Sequence, residues 1–333
     1  MTFPVSLDQV GLVAIGRNEG DRLKKSLMSV RDQLSYIVYV DSGSTDGSVE
    51  FAQSLGVEVV DLDLSIPFTA ARARNAGFRR LLELNPELQF VQFVDGDCEV
   101  VQGWLATAHQ TLVEHEDWAV VCGRRREKFP HQSIYNLLCD LEWDTPIGEA
   151  GACGGDSLMR VDAFKQVNGF NPGLIAGEEP ELCVRLRQQG WKIWRLDQEM
   201  TLHDAQMTEF GQWWKRAKRA GHAFAEGANL HGNSEQRHWV KETRSIWLWG
   251  VLLPAIVLAS VWPTHGLGLV LLLIYPLMVV KIFARFRSTM RAKPALLYAL
   301  SCVIGKFAQA SGAIQFVWNR VSGKRSSLIE YKA

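Results

Sequence analysis

Along the first half of the chain, short apolar runs alternate with amphipathic stretches. Residues 10–15 (V-G-L-V-A-I), 36–40 (Y-I-V-Y-V), 57–60 and 90–94 (F-V-Q-F-V) are short and rich in β-branched and aromatic residues, which predicts strands. Helical patterns fill the gaps: one stretch to about residue 33, then 46–55, 69–84 and 102–114. Apolar strands alternating with amphipathic helices predict an α/β fold, a mostly parallel sheet covered on both faces. In such sheets ligands bind beyond the carboxyl ends of the strands. Three polar clusters fall there: Gly16-Arg17-Asn18-Glu19-Gly20, the loop from Asp41 to Gly47, and Asp95-Gly96-Asp97. After Val120 the pattern loosens. Gly154-Gly155 precedes a predicted strand at 157–161, and another is predicted at 192–196. Between them lies a helix with Pro180 at its start and Gly190 at its exit.

The last ninety residues read differently. Residues 246–262 are apolar throughout and 267–283 nearly so, which predicts a membrane hairpin. Trp247, Trp249, Trp262 and Tyr275 suit its interfaces. Lys241 and Arg244 precede it, and Arg285, Arg287, Arg291 and Lys293 follow it, so the positive-inside rule puts both ends in the cytoplasm. A third apolar stretch, 295–318, contains Lys306, Gln309 and Gln315, which favours a helix lying in the membrane plane or re-entering it. The expected division is a catalytic domain over 1–240 and a membrane region over 241–333, at the inner (cytoplasmic) membrane. A buried helical subdomain is the alternative for the tail. The 210–224 segment, with Trp213 and Trp214 among basic residues, suits either a membrane surface or a core-facing helix.

Composition narrows the classes. Lysines and arginines equal aspartates and glutamates at 36 each in 333 residues, so the chain lacks the basic excess of a nucleic-acid binder. The six cysteines include no C-x-x-C pair and are read as reduced thiols. Residues 1–10 lack the basic and apolar pattern of a secretory signal.

Several residues carry chemistry. Asp95 and Asp97, one residue apart after a strand, can share a hard cation such as Mg²⁺ or Mn²⁺; alone, such a triplet is more often a turn. Asp41 ends a strand where its carboxylate can meet a base or ribose, and the Ser44-Thr45-Asp46 segment also reads as a helix cap. Arg74 has the fork geometry for phosphate, whereas Arg72 reads as a surface residue. With Pro180 at the first helical position, Glu179 falls at the cap beside Glu178. Adjacent carboxylates raise one another's proton affinity, which suits a general base, although acidic residues also decorate ordinary helix starts. His203 can complete a metal site begun by Asp97, or be a satisfied histidine.

In order and spacing these segments resemble the family 2 glycosyltransferases, which have the nucleotide-sugar-binding GT-A fold, and in particular membrane-anchored members that build surface polysaccharides. The matching segments are Arg17-Asn18-Glu19, V-D-S-G-S-T-D-G at 40–47, A-R-A-R-N-A-G at 71–77, V-D-G-D at 94–97, N-G-F at 168–170 and G-E-E-P-E-L-C-V-R-L-R-Q-Q-G-W at 177–191. The resemblance implies an inverting transferase that uses a divalent cation, a nucleoside-diphosphate sugar donor and a saccharide or lipid-linked saccharide acceptor. It implies donor contacts from Asn18, Glu19, Asp41, Ser42, Arg74, Asp95 and Gly155. Asp97, with Asp95 and His203, would hold the metal, and Glu179 or Glu178 would be the base. The usual Glu-Asp pair is Glu178-Glu179 here, and the Q-x-x-R-W motif of processive polymerases is absent, since Gln212 is followed by W-W-K-R-A. That points to addition of a single sugar. A nucleotidyltransferase and a membrane-anchored binding protein are the alternatives.

Overall fold

The structure, a computed structural model, describes residues 7–324 and 326–330. The chain forms two compact units, residues 1–128 with 142–205 and residues 129–141 with 206–333.

The first unit is built on one sheet. Its elements in order are β1 (Val10–Gly16), α1 (Asp21–Val30), β2 (Tyr36–Asp41), α2 (Ser48–Ser54), β3 (Glu58–Asp61), α3 (Ala70–Leu84), β4 (Phe90–Asp95), β5 (Cys98–Val100), α4 (Trp104–Glu114) and β6 (Trp118–Glu127). Helix α5 (Ile134–Glu142) straddles the division between the units. The first unit resumes with β7 (Gly148–Glu149), β8 (Ser157–Arg160), α6 (Val161–Gln166), α7 (Glu178–Gln188) and β9 (Lys192–His203). The strand order is β3-β2-β1-β4-β8-β6-β9-β5, with β7 paired to β9.

The four expected strands of the amino-terminal half pair in parallel, Val13 beside Val38 and Phe93. Except for the half-buried edge strand β3, they are buried on both faces, one apolar cluster built on Leu12, Tyr39 and Trp104, the other on Val13, Phe93 and Phe170. That double burial is why they read as unbroken apolar runs. The later strands depart from the parallel expectation. β8 runs antiparallel to both β4 and β6, and β5 antiparallel to β9.

β6 and β9 pair in parallel with register shifts between Cys122 and Arg124 and between Arg124 and Arg125. Gly123 sits at these shifts, where a Cβ would collide with the Gln198 carbonyl and the Trp104 ring. A bulge of this kind re-aims the residues after it. It also breaks the two-residue alternation, which is why 118–127 escapes a pattern-based reading.

The second unit continues with α8 (Phe210–His231), α9 (Val240–Trp247), α10 (Leu253–Val261), α11 (Ile274–Phe286) and α12 (Ala292–Val321). A π-helical turn over Leu248–Leu252 joins α9 to α10, one residue ahead of Pro254, whose missing N–H cannot continue the α pattern. Among the described residues, three helical stretches are long and apolar enough to cross a membrane: Val240–Val261, Leu267–Phe286 and Ala292–Val321. The third is a single 30-residue helix, longer than the apolar run at 295–318 suggested.

α8 belongs to this unit because it packs on α12. A Cβ at Gly221 would collide with the Gln309 backbone, and one at Gly312 with the Lys218 backbone. Small residues at these crossings let the two backbones meet. Hydropathy alone does not show this.

Candidate active site

The loops after β1 and β2 are stitched to each other. Asn18, at φ +52°, donates its N–H to Ser44 Oγ at 2.9 Å and accepts the Thr45 N–H on Oδ1 at 2.8 Å. Glu19 pairs with Arg22 at 2.7 Å. Asp41 is buried at the end of β2. Its Oδ1 accepts from the Tyr39 hydroxyl at 2.8 Å, and its Oδ2 accepts the N–H groups of Gly43 and Ser44 at 2.8 and 2.7 Å. Ser42 is buried beside it and donates its N–H to the Gly16 carbonyl at 3.1 Å. Here the carboxylate shapes its own loop, as aspartates in turns do.

The end of β4 is different. Asp95 accepts Arg74 Nη2 on Oδ1 at 2.6 Å and Arg125 Nη2 on Oδ2 at 2.8 Å. Arg74, arriving from the first turns of α3, also donates Nη1 to Glu178 Oε1 at 2.5 Å. Both of its Nη atoms are therefore engaged by carboxylates, a different placement from the phosphate contact expected of it. Burial opposes the charge on Asp95, but the two guanidiniums outweigh it and hold the carboxyl down at about 2.

Asp97 faces His203. Its Oδ2 lies 3.2 Å from His203 Nε2, and His203 Nδ1 lies 3.5 Å from Glu127 Oε2. Cys98, registered opposite His203 across β5 and β9, has its Sγ 3.8 Å from Asp97 Oδ1. Burial pulls the imidazole toward neutrality, yet Asp97 and Glu127 raise its proton affinity above the ordinary value. Ligand atoms of Asp97, Cys98 and His203 all lie within 4.8 Å of one another, as do those of Asp95, Cys98 and Asp156. The neighbourhood gathers six carboxylates, Asp95, Asp97, Glu127, Asp156, Glu178 and Glu179, against two guanidiniums, Arg74 and Arg125. Buried charge in that excess calls for a cation, and a carboxylate with an imidazole fits a divalent ion.

Helix α7 opens at Glu178, capped by Gly177 at φ +78°. Pro180 is thus the third helical residue instead of the first, still within the turn whose N–H groups have no helical partner. Glu179 is 2% exposed. Its Oε1 accepts the Cys153 N–H and the Cys183 thiol, each at 2.9 Å, and its Oε2 accepts the Gly154 N–H at 2.9 Å. Burial pushes this carboxyl up, while the three donors and the helix start oppose that rise.

The next residue in that loop, Gly155, lies against the Arg74–Asp95 pair. A Cβ there would stand 2.6 Å from Arg74 Nη2 and 3.1 Å from Asp95 Oδ2. One three-residue loop therefore touches Glu179 at Gly154 and the Arg74–Asp95 pair at Gly155. In this way the glutamates of α7 and Asp95, at the end of β4, converge.

Sequence reasoning missed four participants. Asp156 accepts the Asp95 N–H at 3.1 Å and the Thr201 hydroxyl at 2.8 Å, and lies 2.9 Å from Arg125 Nε. Arg125 arrives through the β6 bulge. Glu127 backs His203. The Trp143 ring lies 4.7 Å from His203 and 5.2 Å from the Arg125 guanidinium, centroid to centroid and to Cζ. Asp156 follows the Gly154-Gly155 pair, a signal available in the sequence. The run Arg124-Arg125-Arg126 reads as ordinary surface charge.

Comparison with known proteins bears on this geometry. The sequence profile described as Glycosyl transferase family 2 matches residues 13–167, and one described as the N-terminal domain of galactosyltransferase matches 139–209. The succinoglycan biosynthesis protein ExoA of Rhizobium meliloti is 27% identical over 197 residues, which cover 54% of this chain and 58% of that protein's length. The glycosyltransferase AglE of Haloferax volcanii is 24% identical over 217 residues, 61% of this chain and 69% of that one. The mannosyltransferase PcManGT of Pyrobaculum calidifontis, solved in complex with GDP-Man and Mn²⁺, superposes with a TM-score of 0.59 at 16% identity, covering 96% of this chain and 91% of that one. That likeness is one of fold. With the profile covering β1 through α6 and the carboxylates gathered where such folds bind ligands, this chain carries a family 2 glycosyltransferase domain of GT-A type.

Proposed function

We propose that this chain is an inverting, divalent-cation-dependent glycosyltransferase that moves one sugar from a nucleoside diphosphate to a hydroxyl of a lipid-linked saccharide. Its apolar carboxyl-terminal helices hold it at the cytoplasmic face of a membrane. The observation that supports this reading is that loop 153–155 meets Glu179 on one side and the Arg74–Asp95 pair on the other, with Glu178 on Arg74 and the Asp97–His203 pair two residues on from Asp95. The saccharide acceptor is supported by the likeness to a succinoglycan biosynthesis protein, and Mn²⁺ by the mannosyltransferase solved with that ion.

Asp97 and His203 would hold the cation, with Asp95 beside them; the bound ion would neutralise charge on the departing diphosphate. The chain's own groups do the rest. Asn18, Glu19, Asp41 and Ser42 shape the loops that border the nucleotide. Arg74 fixes Asp95 and Glu178 relative to each other. In the transfer the acceptor oxygen forms a bond to the anomeric carbon as the bond from that carbon to the diphosphate oxygen breaks, its electron pair leaving on the diphosphate. The acceptor's proton passes to a carboxylate. Glu179 is the better base of the two, since burial raises its proton affinity whereas Glu178 is held by Arg74.

The test uses detergent-solubilised full-length protein, a panel of nucleotide sugars and Mn²⁺. Transfer that requires the ion and inverts the anomeric configuration is the expected result. Glu179→Gln is expected to keep donor binding and lose turnover by about 10²- to 10⁴-fold. Near-normal turnover in that variant, with a large loss in Glu178→Gln, would move the base to Glu178.

A further inference from the structure

Resting on the glycosyltransferase reading, we propose that Arg125 is a donor-binding residue that hydrogen-bonds the leaving diphosphate from its free Nη1. Two guanidiniums stand at the site, and they are used differently. Arg74 is 3% exposed in its side chain, and both Nη groups are taken by Asp95 and Glu178. Arg125 is 17% exposed. Its Nε faces Asp156 at 2.9 Å, and its Nη2 donates to Asp95 at 2.8 Å and to Cys98 Sγ at 3.1 Å. Among the described residues nothing accepts from Nη1. A guanidinium pinned on one edge by carboxylates, with a donor left on its other edge, is pre-organised for an anion.

Its location favours the diphosphate. Arg125 touches Asp95 and Cys98, the residues that bracket Asp97 in sequence, so it borders the candidate cation ligands. Trp143 lies against both the arginine and His203, fixing the two with one ring. The bulge at Gly123 turns Arg125 into this place, and Arg124, its neighbour in the bulge, points instead toward Asp144, with Nε 3.3 Å from its carboxylate. The carboxylate excess around Asp97 repels a diphosphate, and a cation relieves only part of that. When the bond to the anomeric carbon breaks, its electron pair comes to rest on the terminal phosphate oxygen, where an added N–H donor is most useful.

The experiment measures binding calorimetrically with full-length protein in detergent and Mn²⁺, using UDP and GDP as probes with uridine and guanosine as controls. Arg125→Gln is expected to weaken the preferred nucleoside diphosphate by about 10- to 100-fold while leaving the nucleoside unchanged. Arg125→Lys, which keeps the charge but loses the fork, is expected to fall between the two and serves alone if the glutamine variant does not fold. Diphosphate affinity equal to wild type in a folded Arg125→Gln or Arg125→Lys protein overturns the proposal. So does equal weakening of nucleoside and diphosphate, which marks a purely structural arginine. A wild-type protein that binds neither diphosphate with Mn²⁺ sinks the donor reading itself, and this assignment with it.

Discussion

Two groups of acidic residues stand at one edge of the same sheet, and they are satisfied in opposite ways. Asp41 closes its balance locally, with three donors from within three residues of itself. Asp95 and Asp97 draw their partners from α3, β6 and β9, far away in sequence, and still share two guanidiniums and a histidine among six carboxylates. The first arrangement is complete as folded. The second leaves carboxylates in excess of the guanidiniums beside them, which is what a bound cation would offset. Identical side chains thus take their partners from their own loop in one case and from distant elements in the other.

That contrast can be broken or sharpened by measurement. The largest effect is expected from Asp97→Asn, which should remove Mn²⁺ binding by isothermal titration, a loss on the order of 100-fold or more, while the apo protein stays folded because buried charge has been relieved. Unaltered Mn²⁺ affinity would place the ion elsewhere. Asp41→Ala should do the reverse. It strands the buried Tyr39 hydroxyl and two amide donors, at a cost of about 3 kcal/mol in urea unfolding, with Mn²⁺ affinity retained in the folded protein. If it instead weakens the ion and spares stability, the two loops have been assigned the wrong way round.

Acid should expose the stored interaction at Asp95. Its folded carboxyl is held at about 2, below the 3.8 of an ordinary aspartate. The stabilisation is therefore present above pH 3.8 and is lost as the pH falls from there toward 2, a contribution of roughly 2 kcal/mol. Urea midpoints followed down that range should drop, and Asp95→Asn should flatten the slope; an undiminished slope in the variant excludes this source. The smallest effect is expected from Gly155→Ala, whose methyl presses on Arg74 and Asp95. Donor affinity should fall by about tenfold with little change in thermal midpoint, near the size of one displaced charged hydrogen bond.

The sequence was readable where chemistry and periodicity are local. Strands β1, β2 and β4 announce themselves because both faces are buried, and Asp95, Asp97 and Glu179 stand out because they lie at a strand end or a helix start. Arg125 and Asp156 were hidden for a different reason. Their partners are fixed by a bulge and by antiparallel pairings of β8, which only long-range packing decides. Asp41 was visible, but the three donors that claim it were not. The 295–318 stretch reads from its Lys306, Gln309 and Gln315 as a helix lying in the membrane plane or re-entering it, whereas in the structure it belongs to one helix, Ala292–Val321, that is long and apolar enough to cross a membrane.

Sharing residues 153–155 between Glu179 and the Arg74–Asp95 pair constrains how such a domain can be re-engineered. Grafting a foreign segment over 177–188 would leave two main-chain amides without their carboxylate and slacken the loop that lies against Arg74 and Asp95. Loop and helix are in that sense one inheritance, to be altered together as a set.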